Sequence, residues 1–318
     1  MYYFQDKYSG FEFGSIFHYR GALLKYEAIV ITESNVSKYI EFINAHEIDK
    51  IIIDVKASGL LDLSFLKETP HVKYLKILGD IDYSALYELK EIRSLEIDGL
   101  NEIDVSKIEG LQALISNYPS RLKNLNLAKT LKSLWLYGYG DTKYYHDFSS
   151  IKELKQLDTL YLRNIKCTSL DGIESLNNLK VLLLINNLEL SNIEAISRLN
   201  FSLKHLEIEN CRRINNIESL SALEQLIYLR LQKFLNVPSL SFLKSLGNLR
   251  TFLLFESNVI DGNMTPIIEL ETQGVLPIRK HFFYYKNREA IKFTDDYKNF
   301  GKRTRGDMEI ELWRRTDM

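Results

Sequence analysis

From residue 157 to residue 254 the apolar positions fall into five copies of one phrase: LDTLYLRN from Leu157, LKVLLLIN from Leu179, LKHLEIEN from Leu203, LIYLRLQK from Leu226 and LRTFLLFE from Leu249. Their spacings are 22, 24, 23 and 23 residues. Each copy is apolar at its first, fourth and sixth places, and the alternation in its second half predicts a strand with one buried face. A fixed period of this length predicts a solenoid, in which each coil buries its apolar edge against the next. Weaker copies precede the clear run: Ile48-Ile51-Ile53, Val72-Leu75-Ile77, Ile92-Leu95-Ile97, Leu111-Leu114 and Leu131-Leu134-Leu136. About ten strands are therefore expected, with phrases starting at residues 48, 72, 92, 111, 131, 157, 179, 203, 226 and 249. Leu122-Leu125-Leu127 also fits the phrase, but Leu131 is the preferred start because it keeps a spacing of 20 from Leu111.

A second rhythm runs between the strands. Leu170, Ile173, Leu176 and Leu179 step by three, as do Ile214 through Leu226 and Leu240 through Leu249. That step fits tight 3₁₀ returns whose side chains all point inward. The segment Tyr137-Gly138-Tyr139-Gly140-Asp141-Thr142-Lys143-Tyr144-Tyr145-His146 lengthens one unit to 26 residues and is expected to protrude at the edge of the concave face. Residues 1–46 lack the repeat. They hold eight aromatics before residue 20, a strand-like Ala28-Ile29-Val30-Ile31-Thr32, and a helical face of Val36, Tyr39, Ile40 and Ile43 with Ser34 as its expected N-cap. They are expected to cap the solenoid, which occupies residues 47–256, while residues 257–318 form a C-terminal cap. Within that cap HFFYYKNREAIKF and MEIELWRR read as two strands, joined by a loop containing KNFGKRTRGD.

The full pattern, LxxLxLxxNxxxxxxIxxLxxL, resembles a leucine-rich repeat of the short kind, similar to those of phosphatase-regulatory subunits and bacterial internalins. The resemblance covers roughly residues 48–256. It implies an α/β solenoid, a horseshoe with a parallel sheet on its concave face and short 3₁₀ or helical returns on its convex face. Asn187 and Cys211 stand where such repeats use Asn or Cys to hydrogen-bond neighbouring turns, whereas Ile165 and Phe234 depart from the pattern.

Composition narrows the function classes. The formal net charge of −1 gives no global field for nucleic acid or an anionic membrane. No stretch approaches 18 uncharged apolar residues, and the N-terminus lacks the basic start and apolar run of a signal peptide. Cys167 and Cys211 lie two coils apart, about 10 Å by strand spacing, which exceeds disulfide reach. Both are expected to be reduced, in a cytoplasm. Residues 279–318 carry 11 Lys or Arg against 7 Asp or Glu, but the signs are interleaved, so a solvated cap is favoured over a nucleic-acid arm. No phosphate-binding glycine loop, nucleophile elbow, HExxH or metal-ligand cysteine cluster occurs, and no cofactor is expected. The best catalytic constellation is His205, Glu207 and Glu209, which alternate on one strand and could serve a hydrolase. On an exposed strand such a set more often forms a partner-facing patch.

The third, fifth and seventh places of each phrase must point to the concave side. They supply Trp135 and Tyr137, Tyr161 and Arg163, Leu183 and Ile185, His205, Glu207 and Glu209, Tyr228 and Arg230, and Phe255. Tyr, Trp and Arg are the types enriched in binding hot spots, and a solvated strand face has no use for Leu183 and Ile185. The expectation is a non-catalytic scaffold that grips another protein through this face. Neutralisation of a bacterial toxin, as an immunity protein, is one form of that role; regulation of a phosphatase or other enzyme is the other. The competing arrangement is a terminal cap folded over the same face.

Overall fold

The computed structural model describes residues 4–5, 10–19, 23–141, 143–234, 237–263 and 265–272. Thirteen strands form one sheet, in chain order: β1 (Phe4–Gln5), β2 (Glu12–Tyr19), β3 (Leu23–Ile31), β4 (Lys50–Asp54), β5 (Tyr74–Leu78), β6 (Ser94–Asp98), β7 (Ala113–Ser116), β8 (Ser133–Tyr137), β9 (Thr159–Arg163), β10 (Val181–Ile185), β11 (His205–Glu209), β12 (Tyr228–Gln232) and β13 (Thr251–Phe255). All ten expected strands are present in the expected register. The first two pairings are antiparallel, and from β3 to β13 every pairing is parallel.

The fourth and sixth places of each phrase build two continuous rows. Ile29, Ile51, Leu75, Leu95, Leu114, Leu134, Leu160, Leu182, Leu206, Leu229 and Phe252 lie side by side in one. Ile31, Ile53, Ile77, Ile97, Ser116, Leu136, Leu162, Leu184, Ile208, Leu231 and Leu254 form the other. The ladder thus begins one strand earlier than the repeat was read, because Tyr26-Glu27-Ala28-Ile29-Val30-Ile31 is itself a copy of the phrase. Its return is the helix Ser37–Ala45, which buries Tyr39 and Ile43 against the first rows. That helix starts at Val36 with no side-chain cap; Asn35 Oδ1, not Ser34, accepts the Ser37 N–H at 3.4 Å.

The later returns are 3₁₀ turns: Ile173–Ser175, Glu194–Leu199, Ile217–Ala222 and Ser241–Ser245. Their step-of-three residues are buried in the same core as the strands. The competing phrase at Leu122 is part of a return: Leu122–Lys123 pairs with Ile103–Asp104 in a separate small ladder, and Leu125–Leu127 is a 3₁₀ turn. In the long 26-residue unit, Tyr144–Tyr145 pairs with Lys166–Cys167, so this part of the expected protrusion is bound down. At the other end the helix Thr265–Thr272 buries Ile267 and Leu270, and Lys244 pairs with Glu269 at 3.2 Å. The two strands and the loop expected beyond residue 280 lie outside the described residues.

Two places after each strand turn the chain toward its return. The eighth place takes a left-handed backbone, with φ of 55° at Asn164, 56° at Asn186 and 54° at Asn210. Asn tolerates this conformation better than other residues with a side chain. Lys233 and Glu256 hold the same place at φ of 54° and 46°. The ninth place satisfies buried backbone between coils. Asn187 Oδ1 accepts the Ile165 N–H at 2.8 Å, and its Nδ2 donates to the Leu162 carbonyl at 3.0 Å. The Cys211 thiol donates to the Leu184 carbonyl at 3.6 Å. Phe234 interrupts this polar column, but Ser257 restores it one coil later by accepting the Phe234 N–H at 3.0 Å.

Replacing Asn187 by Ala leaves a buried donor and a buried acceptor unpaired, and urea unfolding should show a loss of about 2–4 kcal/mol. Lys233→Asn acts in the other direction by removing left-handed strain, with an expected gain of about 0.5–1 kcal/mol in the same measurement.

Candidate partner-binding surface

The period-two alternation that buries the fourth and sixth places sends the third, fifth and seventh to the other face. Parallel in-register pairing then sets equivalent places side by side. This brings the expected surface residues together as three bands along the ladder, and all of them except Phe255, whose side chain is outside the described set, can be placed.

The middle band is aromatic and aliphatic. Ile115, Trp135, Val181 and Leu183 form a cluster separate from the main core, with Tyr137 and Tyr161 packed against it. Trp135 meets the Tyr161 ring edge-on at 5.3 Å, and Tyr161 meets Tyr137 at 5.3 Å. Offset and edge-on geometries are the favourable ones for such rings. Tyr137 lies 6.0 Å from Tyr139 in the long unit's loop, and the Arg163 guanidinium sits 5.6 Å from the Tyr139 ring centre. An aromatic strip therefore runs from the floor of the face to its rim, where Tyr139 is 44% exposed. Burial pushes the hydroxyls of Tyr137 and Tyr161 up from the ordinary phenol value, so both act as neutral groups near neutral pH.

The second band, on β11 and β12, is polar and internally paired. His205 Nε2 lies 3.0 Å from Glu207 Oε1, and Arg230 Nη1 donates to Glu207 Oε2 at 3.2 Å. Arg230 also lies 3.7 Å from the Glu209 carboxylate and donates to Gln232 Oε1. The His205 ring stacks on Tyr228 with centres 4.1 Å apart and planes within 5°. Burial alone would raise the Glu207 carboxyl, but its hydrogen bond from His205 and the charge of Arg230 win, holding it below its ordinary value. A general acid or base working near neutrality needs the opposite shift. His205, Glu207 and Glu209 thus do come together, and the arrangement commits Glu207 to His205 and Arg230, and Glu209 to Arg230. Among the described residues, no group of three or more His, Cys, Asp or Glu is placed to hold a metal ion.

A third band lies toward the N-terminus. Lys76 and Glu96, opposite each other in the ladder, form an ion pair. Beyond it Ile16, Ala28, Val30 and Ile52 make a small apolar cluster, with Tyr74 and Leu78 against it. The third and fifth places of the earlier phrases supply Tyr74, Lys76 and Glu96 to this face, and sequence reading missed Ile115. Ile115 is the fifth place of the Leu111 phrase, whose sixth place is Ser116, so the phrase lacked the third apolar residue that marks a strand.

The face is far less open than a bare strand surface. Trp135 is 8% exposed, Leu183 9%, Glu207 7% and Arg230 8%. Both cysteines are buried free thiols on the core side, and burial pushes each up to about 12. Among the described residues no helix is long and apolar enough to cross a membrane.

A parallel sheet of repeated LxxLxL strands, 3₁₀ returns and an Asn/Cys column define a leucine-rich repeat solenoid. Solved structures agree on the fold. An internalin (inlF) from Listeria monocytogenes superposes with a TM-score of 0.51 at 20% identity, over 75% of this chain and 73% of that one. TLR13 in its complex with ssRNA13 superposes with a TM-score of 0.53 at 17% identity, over 80% of this chain and 42% of that one. No protein-family model and no curated protein matches the chain.

Because Glu207 is held below its ordinary value, its contribution to stability is complete above the unfolded carboxyl pKa and disappears as pH falls through the folded one. Glu207→Gln should cost about 3 kcal/mol at pH 7, since Arg230 is left buried beside a neutral partner. The gap between wild type and variant, followed by urea unfolding, should narrow as pH is lowered from about 6 toward 3.

Proposed function

We propose that this chain is a non-catalytic binding scaffold whose concave sheet face grips another protein. The observation that carries the reading is the aromatic strip Trp135–Tyr161–Tyr137–Tyr139 with Arg163 against its outer ring. Rigid aromatics give large contact area at low entropic cost, and Arg163 supplies fixed donors beside them. The strip lies next to an aliphatic floor of Ile115, Val181 and Leu183, which gives an inserted side chain an apolar seat. The polar band has a different part. Its charges are largely matched internally, so it sets the outline of the face and discriminates among partners more than it adds affinity.

A hydrolytic role for His205, Glu207 and Glu209 finds no support in the geometry, since Glu207 is kept ionised and occupied on both oxygens. We take the partner to be a protein, either a toxin or a regulated enzyme, and these two forms of the role separate by identifying what is captured. The two buried thiols fit a reducing compartment, and we place the chain in the cytoplasm on that ground.

Affinity capture from the native cell, read by mass spectrometry, should return a partner that is lost with face variants. Tyr161→Ala and Tyr139→Ala are each expected to weaken its binding by about 1–3 kcal/mol without loss of fold. Equal capture by wild type and by the double variant defeats the reading.

A further inference from the structure

The register of the ladder matches most cations of the concave face with a carboxylate one strand away. Lys76 stands opposite Glu96 and Arg230 opposite Glu207, and each of these pairs is an ion pair. Lys50, at the third place of the first phrase, is paired with its chain neighbour Asp49. Arg163 is placed differently. Its ladder neighbours are Tyr137 on β8 and Ile185 on β10, and neither carries a charge. Among the described residues the groups that act on its guanidinium are the phenols of Tyr161, Tyr139 and Tyr137, and its Nε has no acceptor. Neutral phenols accept hydrogen bonds but leave the positive charge uncompensated.

The backbone holds this cation in position against its outer ring. The Gly138 N–H donates to the Arg163 carbonyl at 2.8 Å. A Cβ at Gly138 would stand 2.3 Å from the Asn164 carbonyl oxygen, so this approach of two coils requires glycine. Beyond Tyr139, the Asp141 carboxylate accepts the Ser120 N–H of the preceding coil at 2.8 Å and the Lys143 N–H at 2.9 Å. The loop is thus tied down on both sides of Tyr139, whose ring lies 5.6 Å from the guanidinium and is 44% exposed at the rim.

We propose that Arg163 receives a side-chain carboxylate, an Asp or Glu of the partner protein, beside the rings of Tyr139 and Tyr161, while an apolar residue next to that carboxylate seats on the aliphatic floor. This rests on the concave face being the partner surface, and it names the chemistry that surface selects. The planar fork of a guanidinium matches a carboxylate with two parallel hydrogen bonds. A phosphate calls for a cluster of Arg, and here Lys76 and Arg230 are already committed to carboxylates. A partner that offered Lys or Arg at this point would meet a like charge, so the site contributes discrimination as well as affinity.

The test uses the full chain and a library of short random peptides, displayed on phage with their C-termini fused to the coat so that side chains supply the only carboxylates. Selected sequences are remade as acetylated, amidated peptides. They are expected to carry an Asp or Glu beside an aromatic or aliphatic residue. Arg163→Gln should weaken their binding about tenfold, and so should replacing the peptide's carboxylate by its amide. The two changes together should cost little more than either alone, because they remove one interaction. Arg163→Lys should retain part of the binding. The change on the peptide leaves the fold of the chain untouched, so a loss seen there does not come from misfolding. Selected peptides without acidic residues, binding unchanged by Arg163→Gln, or additive losses each overturn the proposal. Tyr161→Ala separates it from the reading it rests on. Peptides lost with Tyr161→Ala but indifferent to Arg163→Gln remove the carboxylate site and leave the partner surface standing. Peptides indifferent to both variants, or a library that yields none, remove both.

Discussion

Lateral contact between two rows of side chains governs this molecule. One row runs from Ile29 to Phe252 and the other from Ile31 to Leu254, each crossing eleven strands. Burying a Leu or Ile contributes about 1.5–3 kcal/mol, and every coil adds two from its strand and more from its return. A backbone hydrogen bond satisfied by the polar column contributes about 1 kcal/mol net. This ratio explains which irregularities the fold accepts. Phe234 in the polar column keeps its burial and loses one polar link, which Ser257 restores from the next coil. Ser116 in the second row gives up one apolar contact among many.

The same ladder determines the opposite face. Because the rows cannot slip without turning every Leu and Ile outward, the residues between them are fixed in space to within one strand step. Trp135, Tyr161 and Leu183 become neighbours although each is more than 20 residues from the next, and so do Glu207 and Arg230. A surface assembled this way is rigid before any ligand arrives, which lowers the entropic cost of binding. It is also divided by chemistry: an ion pair and small apolar cluster at one end, an aromatic and aliphatic middle, and a self-neutralised polar band at the other.

That division separates two kinds of residue which look alike in sequence. Tyr161 and Arg230 are both hot-spot types at equivalent places of their coils. Tyr161 leads to an aromatic strip that reaches the exposed rim, whereas Arg230 is committed to Glu207, Glu209 and Gln232. Removing the first changes what the face can hold; removing the second uncovers buried carboxylates and changes the face itself.

Register, strand positions and the inward or outward direction of nearly every side chain were determined by the sequence alone, because period-two alternation is a local property of the chain. So were the returns, whose step of three is equally local. The coil beginning at Tyr26 escaped notice since its return is a true helix, Ser37–Ala45, rather than a 3₁₀ turn, and the rhythm of threes is absent there. Ile115 escaped because Ser116 broke the local phrase. The tertiary structure decided everything that depends on one coil lying beside another: which charges cancel, which rings touch, and how deeply the concave side chains are covered. Those relations join residues 20 or more positions apart, and no local pattern encodes the choice of neighbour until the ladder is closed.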